Sequence, residues 1–253
     1  MALTWSGRRK LIYYGVGIVV LALLAWIAWL LFFNVAPSCL DRIQNEGELG
    51  IDCGGPCALL CADTARDPVL LWSRAFQTGP TSYTAAAYIQ NNNQGAGAKN
   101  VAYSFQLFDA QNNLVIERDG VANVPPITTI PIIEPNIVVG NRTVARTQFA
   151  FSNTPPAVWS KVPANAIPTL HVAEQNLNTY ASRLGASIIN NTLTDAHNVT
   201  VAAVLFDSQG VARAASKSLI VDVPAKSSMP AVFTWAGGVP NIVRAEITIL
   251  PSF

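Results

Sequence analysis

The chain has 253 residues, of which 51% are hydrophobic and only 12% charged, against about 25% charge in an ordinary soluble domain. A disordered chain is excluded by that balance, and 16 Gly, 16 Pro and 4 Cys over this length exclude a collagen-like repeat and a disulfide miniprotein. The formal net charge is +1 and the sixteen Lys and Arg are scattered, so the basic stripe that would neutralise a phosphate backbone is missing and no nucleic-acid partner is expected.

Residues 1–10 read as a short cytoplasmic tail, and residues 11–33 as a transmembrane helix. The run from Leu11 to Phe33 carries no charge and, at about 1.5 Å per residue, is long enough to cross a bilayer core of about 30 Å. Membrane lipid is therefore the expected partner of 11–33. Arg8, Arg9 and Lys10 precede the run and no basic residue follows it until Arg42. By the positive-inside bias the N-terminus stays in the cytoplasm and the rest lies outside a plasma membrane crossed once. Trp26, Trp29, Phe32 and Phe33 near one end, with Tyr13 and Tyr14 near the other, sit like interfacial aromatics. A cleaved signal peptide is the rival reading, but its apolar region is about 7–15 residues long and ends in a small-x-small site. Here the run is longer and Asn34-Val35-Ala36-Pro37 follows it. Beyond the span, thirteen Lys and Arg face fifteen Asp and Glu, so long-range steering of a charged substrate is not suggested.

Residues 34–67 form a cysteine-rich juxtamembrane segment holding all four cysteines, Cys39, Cys53, Cys57 and Cys61. An even count confined to one segment on the oxidising side reads as two local disulfides, with three connectivities open. Zinc is the competing reading, but Cys53-x3-Cys57-x3-Cys61 lacks the paired short clamps usual for zinc, and no His is near. Asp41, Asn45, Glu48 and Asp52 bring hard oxygen atoms to the same loop. If the disulfides fold it, these four can gather around a calcium ion, which takes about six to eight oxygens; the plainer reading is solvated loop acids with turn formers at Asn45 and Gly50. Apart from this calcium, no cofactor is expected. The stretch Cys39-Leu-Asp-Arg-Ile-Gln-Asn-Glu-Gly-Glu-Leu-Gly-Ile-Asp-Cys-Gly-Gly-Pro-Cys57 resembles a cysteine-rich motif of bacterial surface proteins, roughly C-x-D-G-I-Q-N-G-x-E-T-G-x-D-C-G-G-x-C. It departs from that pattern at Arg42, Glu46 and Leu49.

From Pro68 onward the chain alternates short runs of Val, Ile, Thr, Tyr and Phe with Asn, Gly and Pro, the pattern of antiparallel strands joined by turns. In Val101 to Leu107, the residues Val101, Tyr103, Phe105 and Leu107 share one face by the strand period of two, and Ala102, Ser104 and Gln106 the other. An internal repeat runs through this region. Asn91, then Asn100-Val101 leading into Leu107-Phe108-Asp109, is echoed by Asn190, then Asn198-Val199 leading into Leu205-Phe206-Asp207, at a constant 98-residue offset from Asn100 to Asn112. Asp109 and Asp207 read as turn formers that bond the backbone ahead of them, with Asn112 and Gly210 suited to left-handed positions.

The expected fold is thus an all-β ectodomain after one helix, with one sandwich over 68–160 and a second over 165–253. Phe105-Gln-Leu107-Phe108-Asp109 resembles the FxLYD type of immunoglobulin-like sandwich found in bacterial envelope proteins, with Phe108 where that pattern has Tyr and Ala203 in place of the leading Phe in the second copy. The resemblance implies tandem immunoglobulin-like surface modules.

No catalytic residue is assigned. His171 and His197 lie apart in the second repeat without a nucleophile motif beside them, His197 reads as a loop cap, and Gly95-Ala-Gly97 lacks the following helix of a phosphate loop. Asn141, Asn190 and Asn198 begin N-x-T triplets, which carry no weight beside two bacterial resemblances. The function expected is a membrane-anchored binding or scaffolding protein without catalysis, holding an extracellular or envelope protein partner. The alternative is a structural subunit of an envelope machine such as a pilus or secretion assembly.

Overall fold

A computed structural model describes residues 5–33, 38–126, 128–152, 154, 156–163, 166–178, 182–236 and 238–250. Asn34 to Pro37, just past the expected span, lie outside the described residues, as do Pro155, Ala164, Asn165 and residues 251–253. The chain divides after Cys57 into two units.

In the first unit, α1 spans Trp5–Phe33 and so begins before the charge-free run, taking Arg9 and Lys10 into its first turns. The stretch Arg9–Leu30 is long and apolar enough to cross a membrane. Every side chain from Leu11 to Trp29 is exposed. A core helix of a soluble domain would bury a stripe, whereas this one is apolar all round. The Arg9 guanidinium lies 4.1 Å from the centre of the Trp5 ring, a cation–π contact at its N-terminal end.

The second unit is all β, with antiparallel pairing throughout. Its strands are β1 Val69–Gln77, β2 Ser82–Asn91, β3 Ala96–Phe108, β4 Leu114–Val124, β5 Thr128–Val138, β6 Arg146–Phe151 and β7 Trp159–Lys161, then β8 Leu170–Asn178, β9 Arg183–Asn190, β10 Ala196–Asp207, β11 Ala212–Val223, β12 Ser227–Thr234 and β13 Ile242–Leu250. They form sheets ordered β1-β2-β5 and β4-β3-β6, with β7 also on β3, then β12-β9-β8 and β11-β10-β13. In each half, therefore, the second strand lies between the first and fifth, and the third between the fourth and sixth.

The alternation along β3 explains the first core. Val101, Tyr103, Phe105 and Leu107 turn inward with Ile89 of β2, Ile132 of β5 and Phe149 of β6, while Ser104 and Gln106 stay on the outer face. The second core repeats this with Val199, Val201, Ala203 and Leu205 of β10 against Ile188 of β9 and Phe233 of β12. Leu107 and Leu205 are both buried, each on the middle strand of its sheet. No α-helix interrupts residues 68–178 among those described, and Leu170–Asn178 is strand β8.

A third apolar cluster joins the halves. Ala86 and Tyr88 of β2 and Ile133 of β5 pack on Ala202, Val204 and Phe206 of β10 and Ala212 and Ala215 of β11, flanked by Trp72 and Phe76 of β1. The four sheets thus stack in the order β4-β3-β6, β1-β2-β5, β11-β10-β13, β12-β9-β8. β2 and β10 are buried on both faces, which is why they read as the runs Thr84-Ala-Ala-Ala-Tyr-Ile89 and Val199-Thr-Val-Ala-Ala-Val-Leu-Phe206 with little polar alternation.

Candidate functional site

The stretch Ser38–Cys57 is too short to bury a core, and cross-links with backbone bonding organise it instead. Cys39 is bonded to Cys57, with Cα atoms 5.6 Å apart. Cys53 and Cys61 are disulfide-bonded as well, and no cysteine is free. Non-glycine residues take left-handed backbone at Arg42, Glu46 and Asp52, a costly conformation held by the polar groups around it. At Gly55 a Cβ would stand 2.1 Å from the Gly47 carbonyl oxygen, so only glycine allows the chain to cross itself there.

Three of the four oxygen-bearing residues of this loop, Asp41, Glu48 and Asp52, accept from its own backbone, and the Asn45 side chain donates to Asp41. Asp41 accepts from the Ile43 and Ser38 amides at 2.9 and 3.2 Å and from the Asn45 side chain at 2.9 Å. The Asn45 bond first, and the Ile43 amide next, hold the Asp41 carboxyl below the usual carboxylate range. Both oxygens of Asp52 accept from the Arg42 amide at 3.1 Å. Glu48, only 7% exposed, accepts from the Asp52 and Asn45 amides at 3.2 and 3.4 Å. Its other oxygen lies 2.9 Å from Cys57 Sγ, a contact without a proton because that sulfur is bonded to Cys39. Asp41 thus meets Asn45, and Glu48 meets the backbone of Asn45 and Asp52. Among the described residues, the acid and sulfur atoms that converge closely enough to hold an ion are those of Cys39, Glu48 and Cys57, and two of these are sulfurs of one disulfide rather than thiolates.

The repeated Asn and Asp residues hold corresponding loops in the two sandwiches. Asn91, 2% exposed, donates to the Ala96 and Pro125 carbonyls at 2.9 and 2.7 Å. Asn190, 0% exposed, donates to the Thr194 and Val223 carbonyls, both at 2.9 Å, and this burial leaves no room for a glycan. Asp109 accepts from the Gln111 and Asn113 amides at 3.0 and 2.8 Å, and Asp207 from the Gln209 and Val211 amides at 2.9 Å each. Asn112 and Gly210, at φ 64° and 72°, occupy the left-handed positions of those turns. The second oxygen of Asp109 meets Arg142 at 3.1 Å and that of Asp207 meets Arg213 at 2.6 Å.

Sequence reading did not anticipate Asn93. Its side chain accepts from the Arg66 amide and donates to the Arg66 carbonyl, both at 2.7 Å, tying the chain ahead of β1 to the first sandwich. The run of three asparagines Asn91 to Asn93 was the only signal for it. His197 is not a loop cap: it faces Asp222 in the β10–β11 register and its Nδ1 lies 2.5 Å from that carboxylate. His171 sits on β8, in the other sheet of the same sandwich.

The junction between the sandwiches combines apolar packing with a polar bond. Trp72 stacks on Tyr88 with ring centres 5.0 Å apart, Tyr88 meets the edge of Phe206 at 6.5 Å, and the Tyr88 hydroxyl donates to Glu246 at 2.8 Å. Arg244 pairs with Glu246 and covers the Phe206 ring at 4.3 Å. Burial, then the bond to Glu246, raises the Tyr88 phenol well above its ordinary value and keeps it a donor. The hollows that border this junction include the following two. One of about 240 Å³ is lined by Asn100, Tyr103, Asn198, Thr200 and Lys217. The other, of about 610 Å³, is lined by Phe76, Gln209, Trp235 and the Asp207–Arg213 pair. The Trp235 indole N–H there is buried and meets no hydrogen-bond partner among the described residues. These surfaces offer amides, an ammonium and an already paired guanidinium.

No family model matches the chain, and no curated protein matches it.

Proposed function

We propose that the protein is a non-catalytic binding or scaffolding module of a bacterial envelope, anchored by α1 in the plasma membrane with its N-terminus in the cytoplasm and residues 34–253 outside. The observation that carries this reading is a helix apolar on every side and exposed along its length, followed within a few residues by a segment whose cysteines are all oxidised. Exposed apolar helix demands lipid, and stable disulfides belong to an oxidising compartment. The cysteine motif and the FxLYD-type phrase support the bacterial setting. The 98-residue repeat, with the same strand order in both halves, supports tandem modules of one immunoglobulin-like kind.

Protease added to spheroplasts carrying the full chain tests the orientation. Digestion of residues 58–253 with protection of an N-terminal tag is expected; a protected C-terminal part with a cleaved tag overturns it. The apolar junction favours the second reading, a rigid spacer within an envelope machine, because an elastic linker would serve a fixed assembly poorly. Extraction in mild detergent separates the two: a defined complex much larger than the chain supports the machine subunit, and a monomer supports the free-standing module. The module works without a cofactor in this reading. Since the oxygens of Asp41, Glu48 and Asp52 already accept backbone N–H groups, calorimetric titration of the full chain with calcium is expected to give no binding heat.

A further inference from the structure

The segment Ser38–Cys57 is folded inside out. Its acids turn toward the backbone, with Glu48 buried and Asp41 and Asp52 accepting amides, while its large aliphatic side chains turn outward. Leu40 is 84% exposed, Ile43 60%, Leu49 66% and Ile51 62%. Single exposed aliphatics are ordinary on a protein surface, and a run of three opens β1 at Val69, Leu70 and Leu71, 41–48% exposed; here four that are 60% exposed or more fall between residues 40 and 51. The Cys39–Cys57 bond and the left-handed residues Arg42, Glu46 and Asp52 hold this arrangement, so the outward aliphatics are not a collapsed tail free to turn in. The charges left pointing outward are Arg42 and Glu46, one of each sign, so the surface neither seeks nor shuns an anionic partner.

We propose that this disulfide-held loop docks on the bilayer that α1 crosses, inserting Leu40, Ile43, Leu49 and Ile51 among the lipid headgroups. The inference rests on the membrane reading of α1. Two observations identify the occupant as lipid. Only residues 34–37 separate the end of α1 at Phe33 from Ser38, and a chain of that length reaches at most about 17 Å, so the loop cannot leave the neighbourhood of the interface. A tethered surface also acts at a far higher effective concentration than a partner arriving from solution, and a headgroup layer accepts aliphatic side chains without asking for a matching shape. The loop then acts as a collar that fixes how the chain leaves the membrane.

Photo-crosslinking in vesicles tests this with the full chain. The photoreactive residue p-benzoylphenylalanine is placed singly at Leu40, Ile43, Leu49 or Ile51, at Leu21 within the span, and at the exposed Glu46. The vesicles are phosphatidylcholine, with or without phosphatidylglycerol. Lipid adducts at Leu21 and at the four loop positions in both vesicles, with none at Glu46, are expected. Adducts at Leu21 without any in the loop overturn the docking and leave the span standing, whereas their absence at Leu21 overturns the membrane reading itself. Loop positions that cross-link to protein in place of lipid, whether a second copy or another part of the chain, also overturn the proposal. Should the substitutions disturb the disulfides, the unmodified protein labelled by a lipid-dissolved carbene reagent gives the same answer: label in residues 38–57 comparable with α1 is expected, and label confined to α1 is the contrary result.

Discussion

Asn91 and Asn190 each hold two carbonyls at the loop that follows the second strand of a sandwich. Replacing Asn190 with Ala strands those acceptors in a dry interior, and unfolding in urea should register a loss of about 1–3 kcal/mol. Asp207 works at the turn after β10, where the Val211 amide first, and Arg213 as well, hold its carboxyl below the ordinary value of 3.8 against the opposing effect of burial. A depressed folded-state value means that the stabilisation is present above the unfolded pKa and fades as acid carries the pH down through the folded one. Asp207→Asn should therefore lower the urea midpoint at pH 7 and narrow the gap between the midpoints at pH 7 and at about pH 3. An unchanged gap would mean that the turn does not depend on the charge.

At the scale of strands, β10 carries two loads. Leu205 fills the second core, and its truncation to Ala should cost about 2–5 kcal/mol, as should that of Leu107 in the first. Ala202 faces the other way, against the neighbouring sandwich, where Ala202→Leu would wedge the sheets apart at a cost of about 1–3 kcal/mol in thermal or urea unfolding. The sequence made the first role legible and hid the second. β3 announces itself because Ser104 and Gln106 interrupt its apolar residues at every second place. β2 and β10 are apolar on both sides, so alternation disappears where it would have located the junction. A continuous apolar run says that two faces are covered but not by what, since the covering sheet lies about a hundred residues away. The cysteine loop divides in the same way. Its composition makes oxidation readable, but all three pairings satisfied that count. The structure joins Cys39 to Cys57, and the chain between them passes through left-handed backbone at Arg42, Glu46 and Asp52, residues whose side chains do not advertise it. Glu48, readable as a solvated acid or an ion ligand, is buried and accepts from the Asp52 and Asn45 amides.

For the whole of residues 58–253, the shared cluster around Tyr88 and Phe206 couples the sandwiches. Calorimetry should show one unfolding transition for both, in place of the two that independent domains would give. The phenol of Tyr88 adds a pH limb to this coupling. Its raised pKa means that its contribution to stability is complete below the unfolded value of 10.0 and fades as the pH climbs from there toward the folded one. Stability should fall above about pH 10, and Tyr88→Phe should flatten that fall. The same decline in the variant would assign it to other groups.

The two sandwiches meet through unlike faces: the first offers the sheet of its first, second and fifth strands, the second that of its third, fourth and sixth. Contacts of this head-to-tail kind do not close on themselves, because each end of the pair still carries the counterpart of a face already used, and repetition would draw copies into a fibre. Two side chains on β3 stand against that outcome. Where β10 presents Ala202 and Val204, β3 presents Ser104 and Gln106, and both donate to Glu117, at 2.7 and 3.1 Å. Ser104 first and Gln106 next hold that carboxyl below its usual range, ionised at the surface. Covering it would strip water from a charge with no new partner to replace it. The chemistry of one strand thus makes this outer sheet a poor seat for a further copy.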